Sequence, residues 1–170
     1  MMAMISDFDD VYEMFFDKLE ADDEFFNYYG IDENEALKLA KERALSLLKS
    51  AVMDLNRRVE MEFDLSLNLE DGVFTEEITD EEADILTEIM VLKYFERNLA
   101  KLKPKINTFS SSELTILHSP ANERTSFINM LDAYREHVLN MVSHYSGKER
   151  FSSKKKIVDH TIPEDSDSEG

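Results

Sequence analysis

Apolar residues recur at helical spacing along four stretches of the chain and alternate with polar residues along a fifth. Phe8, Val11, Tyr12, Phe15, Phe16 and Leu19 form the first stripe, at the three-and-four spacing of one helix face. Ser6 is placed to cap it, with Asp7, Asp9 and Asp10 in the positive first turn. Asp22-Asp23-Glu24 followed by Phe25-Phe26 reads as a short helical turn that ends near Gly30. Asp32 caps a second long helix, with Glu35 at the reciprocal position of a capping box. Ala40, Ala44, Leu47, Leu48, Ala51 and Leu55 lie on its apolar face, which runs to about Val59.

Residues 61 to 74 follow a different period. Met61, Phe63, Leu65, Leu67 and Leu69 alternate with Glu62, Asp64, Ser66, Asn68 and Glu70. Period two argues for an extended strand, and the Asp71-Gly72 pair that follows is a hairpin signal. The expectation is a small hairpin or extended arm with a very short return strand at Val73-Phe74. An isolated hairpin is marginal in water, so this arm needs something to pack on.

Helical spacing returns at Thr79, which opens a capping box with Glu82. Ile85, Leu86, Ile89, Met90, Leu92, Tyr94, Phe95 and Leu99 make an apolar face wide enough for a buried central helix. Pro104 is expected to end it. A Ser-rich connection follows. Ser119 then caps a last helix with Pro120 at its first position, lined by Phe127, Leu131, Tyr134, Val138, Val142 and Tyr145. Gly147 terminates it. The expected fold is mostly α: a bundle of about four helices with a short β-hairpin or extended arm. Residues 1–147 form the helical domain and residues 148–170 a flexible charged tail that orders only on a partner.

Length and composition narrow the class. A chain of 170 residues with 42% hydrophobic content can bury a real core in one domain. It has no cysteine, so disulfides, zinc-thiolate sites and thiol nucleophiles are excluded. No apolar run approaches the roughly 18 residues that cross a bilayer, and the short apolar start Met1–Ile5 lacks the basic flank of a signal peptide.

Charge changes the picture more. There are 37 acids against 19 bases, a formal net charge of −18. Duplex and anionic-membrane binding are disfavoured, because both draw on cationic surface. The charge is uneven: the last helix is followed by Lys148, Arg150, Lys154, Lys155 and Lys156, and then by the acidic run Glu164-Asp165-Ser166-Asp167-Ser168-Glu169.

No catalytic constellation emerges. His137 and His144 lie two turns apart, about 10 Å along a helix axis, too far to share a metal. They read as solvent-facing or interface histidines, and His118 and His160 are isolated. Asp64, Ser66, Asn68 and Glu70 invite a calcium-loop reading, but Leu69 stands where the loop needs Gly and Thr75 where it needs Glu. The polar side of a strand explains them. The acidic clusters sit at helix starts, where a positive helix end accounts for them. No cofactor and no metal is expected.

Three segments resemble tailed-bacteriophage head–tail connector (neck, or adaptor) proteins. They are the acidic first helix beginning Asp7-Phe8-Asp9-Asp10-Val11-Tyr12, the stretch Phe74–Leu86 ahead of Met90-Val91-Leu92, and Leu117–Arg124 opening a last helix that ends on Tyr145. Together they cover most of residues 7 to 147. The resemblance implies a non-enzymatic virion subunit, assembled in the bacterial cytoplasm and placed at the virion neck. Such subunits form a ring, often dodecameric, beneath the portal protein. They extend the channel through which DNA passes without specific binding, and they offer a docking face to a stopper or tail-completion protein. On that reading Phe151, Lys154, Lys155, Lys156, Ile157 and Val158 are candidate portal or partner contacts. Phe63, Leu65, Leu67 and Leu69 are a candidate inter-subunit arm. A rival from another class is an acidic DNA mimic or regulator that binds a basic host partner, which accounts for −18 equally well.

Overall fold

The computed structural model describes residues 4–19, 23–26, 28–106, 120–151 and 154–156. In chain order its elements are β1 (Met4–Asp7), α1 (Phe8–Lys18), α2 (Asp23–Phe26), α3 (Glu33–Arg58), β2 (Leu67–Asn68), β3 (Val73–Thr79), α4 (Asp80–Ile106) and α5 (Pro120–Ser146). The mostly helical class holds, and the short hairpin is present as β2 and β3, extended to a three-stranded antiparallel sheet by β1.

The wide apolar face of α4 places it at the centre, where it packs against α1, α3 and α5. Ala83, Leu86, Ile89, Met90 and Tyr94 on successive turns are buried. Ala40, Ala44 and Ala51 let α3 approach closely, while Leu47, Leu48 and Leu55 fill the seam. Short α2 is held by an aromatic contact on each side. The Phe25 ring lies edge-on to Phe15 and to Tyr94, with centroids 5.4 Å away in both cases. Arg43 covers the Phe25 ring at 4.4 Å and donates to the Phe25 carbonyl at 2.7 Å.

The sheet order is β1-β3-β2, antiparallel throughout. Here the structure departs from the period-two reading. Of the expected strand, Leu67 and Asn68 pair with β3 and the Ser66 carbonyl accepts from Thr75 N at 3.0 Å; the return strand is the long one, Val73–Thr79. The residues ahead of that pairing fold into local turns: Leu65 N donates to Phe63 O at 3.1 Å and Ser66 N to Asp64 O at 3.0 Å. Asn56 Nδ2 takes the Leu65 carbonyl at 2.8 Å, which leaves that stretch little backbone for a ladder. The Asp71-Gly72 turn is present. Gly72 has φ +74°, a conformation that favours glycine, and Asn68 Oδ1 accepts from the Glu70 and Asp71 amides.

Three boundaries shift. Met4–Asp7 pairs with β3 in the register Met4↔Thr79 and Ile5↔Ile78, so the chain enters α1 from a strand. Asp7, not Ser6, caps α1, accepting from Asp9 N at 2.9 Å. α4 continues past Pro104 to Ile106, so the proline falls within its last turn and does not end it. The expected cap at Ser119, and His118 and His160, lie outside the described residues.

Candidate interaction surface

The most constrained polar group in the described fold is Glu82, in the first turn of α4. Its capping box with Thr79 forms as the sequence implies: Thr79 N donates to Glu82 Oε2 at 2.7 Å, and Glu82 N to Thr79 Oγ1 at 3.3 Å. The carboxylate is wholly buried. The Tyr145 hydroxyl near the end of α5 donates to Oε1. Arg150, beyond α5, donates from Nε to Oε1 at 2.8 Å and from a terminal nitrogen to Oε2 at 3.1 Å. Each oxygen thus accepts two hydrogen bonds, which fills its lone pairs. Burial and this carboxylate together push the Tyr145 hydroxyl well above its ordinary pKa. A saturated, enclosed carboxylate has no capacity left for a substrate or a metal. Its work is to hold the C-terminal segment.

Arg150 is gripped on its other faces too. Its guanidinium lies 3.4 Å from the Phe63 ring centroid and donates to the Glu77 carbonyl at 2.7 Å. Around it the chain doubles back. Lys148 and Lys155 form an antiparallel bridge, Glu149 N donates to Lys154 O at 2.8 Å, and Lys156 N to Gly147 O at 2.9 Å. Lys148 pairs with Glu81 at 3.1 Å and Lys156 with Glu62 at 3.0 Å.

These contacts correct the expectation of a free tail from residue 148. The described residues Lys148–Phe151 and Lys154–Lys156 are anchored on the helical body, and a boundary at Gly147 cuts through the Glu82–Arg150 pair. The candidate partner contacts divide accordingly. Phe151 is 65% exposed and stands beside the Arg150 guanidinium at 4.9 Å. Lys154, Lys155 and Lys156 are exposed. Ile157 and Val158 lie outside the described residues.

The candidate arm residues do not share one outward face. Leu65 is in the protomer's own core at 2% exposure, so an intermolecular role for it is corrected. Phe63 is partly buried under Arg150, Leu67 pairs with Phe74, and Leu69, 53% exposed, caps the turn. The periodicity marked these positions as apolar but could not say that the cover is intramolecular.

A second acid, partly buried, lies six residues further along α4. Glu88 accepts from Lys18 of α1 and from the Tyr134 hydroxyl of α5, and Lys18 also pairs with Asp84 at 2.8 Å. Burial pulls the Lys18 ammonium down, yet Asp84 and Glu88 outweigh it and hold it above its ordinary range. Sequence reasoning missed both acids as binding groups, because Glu82 and Glu88 look like ordinary helix-surface charges. Only the Thr79-x-x-Glu82 box signals one of them.

Other cations are also tied to carboxylates: Lys41 to Asp9, Arg58 and Lys93 to Asp54, Arg135 to Glu96 and Asp132. Among the described residues no three acidic, histidine or cysteine groups converge as a metal site. His137 and His144 are exposed. No described helix is long and apolar enough to cross a membrane. A groove between α3 and α4 stands apart in charge; Ser50, Met53, Asp54, Arg57, Lys93, Glu96 and Arg97 line it. Compared with protein-family models, with curated proteins and with solved structures, the chain matches none.

Proposed function

We propose that the chain is a structural assembly subunit of the head–tail connector kind. It forms a ring beneath the portal protein at the virion neck, lets DNA pass its acidic surface without binding, and offers a face to a tail-side stopper. The observation that carries this reading is the clamped C-terminal segment. Glu82 fixes Arg150 in the body while Phe151 and the lysines beside it face outward, which is the form of a preorganised docking element. A rigid presenter lowers the ordering cost of association. The acidic surface supports the DNA-channel role, since like charge weakens backbone contact.

Mass photometry of the protein, with and without purified portal protein from the same genome, tests this. The expected outcome is a ring-sized species on the portal. A protein that stays monomeric and never joins the portal overturns it.

The pairing of Lys18, Lys41, Lys93 and Arg135 with the chain's own carboxylates favours one rival. It leaves a surface dominated by acids, as an acidic decoy for a basic host protein needs. That reading expects a monomer or dimer and a tight, salt-sensitive complex with a basic partner, without a ring.

A further inference from the structure

The α3–α4 groove is a local excess of positive charge on a chain of net charge −18. Its two acids are already matched. Asp54 is held by Lys93 at 3.0 Å and Arg58 at 3.1 Å, and Glu96 by Arg135 at 2.9 Å and Lys93 at 3.7 Å. Arg57 and Arg97 remain. Among the described residues neither meets a carboxylate: Arg97 donates only to the Ser46 and Ser50 hydroxyls, at 3.3 and 3.5 Å. Both arginines are exposed. Guanidinium forks prefer carboxylates, which they bind through paired, charge-assisted hydrogen bonds.

We propose that this groove binds the chain's own acidic terminus, Glu164–Glu169. Charge complementarity and tether length both support this occupant. Lys156 is fixed on Glu62 and lines one hollow with Arg58 and Val59, at the C-terminal end of α3. Arg57 is the next residue back along that helix. Residues 157–163 connect Lys156 to the acidic run, and seven extended residues reach roughly 23 Å. From Arg57 back to Ser50 the groove follows about 10 Å of helix, well inside that reach. A short tether holds its end at an effective concentration in about the millimolar range, so a few exposed ion pairs suffice to close it. The binding is intramolecular and ionic, and it does not depend on the connector reading.

The lack of cysteine gives a clean test on the full chain. A nitroxide is placed on Ser166→Cys, and paramagnetic broadening of backbone amides is read by NMR. The expected result is selective broadening at Ser50–Arg57 and Lys93–Arg97 in low salt. It is relieved in 1 M NaCl, where screening falls to about 3 Å, and in the Arg57→Glu/Arg97→Glu protein. A mixture of nitroxide-bearing unlabelled chains with ¹⁵N chains lacking the nitroxide distinguishes the source. No broadening there supports the intramolecular contact. Broadening there equal to that in the singly labelled chain overturns it in favour of a second copy. Absence of groove broadening in low salt, or broadening that survives the double substitution, also overturns it. An amide spectrum of the double variant that matches the parent away from the groove shows that the fold is kept.

Discussion

Arg150 and Glu82 form an ion pair across 68 residues of sequence, 2.8 Å apart, with side chains only 7% and 0% exposed. Neither charge has water to fall back on, so each depends on the other. Arg150→Ala is therefore expected to cost about 3–5 kcal/mol, the range for leaving a buried charge unpaired. Arg150→Lys should recover little, because an ammonium cannot satisfy both carboxylate oxygens and stack on Phe63. The Arg150→Met/Glu82→Gln pair should lose less than Arg150→Ala, since no bare charge remains. Urea midpoints at unchanged slope measure all three. An Arg150→Ala midpoint equal to the parent's would show that the clamp is not formed in solution.

What the sequence made legible, and what it hid, divides at this pair. Local signals were readable: the Thr79–Glu82 box, the Asp32 cap, the stripe of α4 and the Asp71-Gly72 turn are all set within a few residues. The alternation through Leu65 misled, because burial of that side chain in the core meets the same apolar demand as a strand would. β3 was hidden by Thr75-Glu76-Glu77, three polar residues that break period two between buried Phe74 and Ile78. Arg150 read as one charge of a basic tail. Which of 37 acids it meets is decided by how α5 lies along α4, and no local pattern encodes that.

Leu65 separates an arm from a core. If the segment served mainly another subunit, trimming it would leave the isolated protomer's stability unchanged. With Leu65 enclosed, Leu65→Ala should destabilise the monomer by about 2–5 kcal/mol through the cavity left behind. Leu69→Ala, at an exposed turn position, should stay within about 0.5 kcal/mol. Thermal or urea unfolding at concentrations that keep the chain monomeric reads the contrast.

Alkaline pH should weaken this protein through Tyr12, Tyr134 and Tyr145, and acid pH through Asp54. Burial and nearby Asp9 and Asp7 push Tyr12 up to about 12 from 10.0; burial and Glu88 raise Tyr134, and burial and Glu82 raise Tyr145. Lys18 is raised as well. A raised folded pKa gives stability that is complete below the unfolded value and lost as pH climbs through the folded one. Stability should thus decline from pH 10.0 upward, and Tyr134→Phe should flatten that decline. Asp54 has the opposite sign. Burial alone would raise it, but Lys93 and Arg58 hold it below its ordinary 3.8. Its contribution is present above that value and is lost as pH falls further. Urea unfolding followed by far-ultraviolet circular dichroism at fixed ionic strength, which reads the helices and not the tyrosines, follows both limbs.

The position at which the chain is cut decides what a tail deletion means. Ending it after Gly147 removes Arg150, Lys148 and Lys156 together and leaves Glu82 buried with only Tyr145 and the Thr79 amide. That truncation should be destabilised at least as much as Arg150→Ala, by about 3–5 kcal/mol. Any loss of partner binding in it would then report unfolding near α4 as well as a missing contact. Ending the chain after Lys156 keeps the clamp and should leave the urea midpoint close to the parent's. Binding lost in that longer truncation belongs to residues 157–170. Binding kept there but lost on Phe151→Ala belongs to the anchored segment. A midpoint for the Gly147 truncation equal to that of the full chain would mean that α5 ends the folded body by itself, and that Arg150 only rests on it.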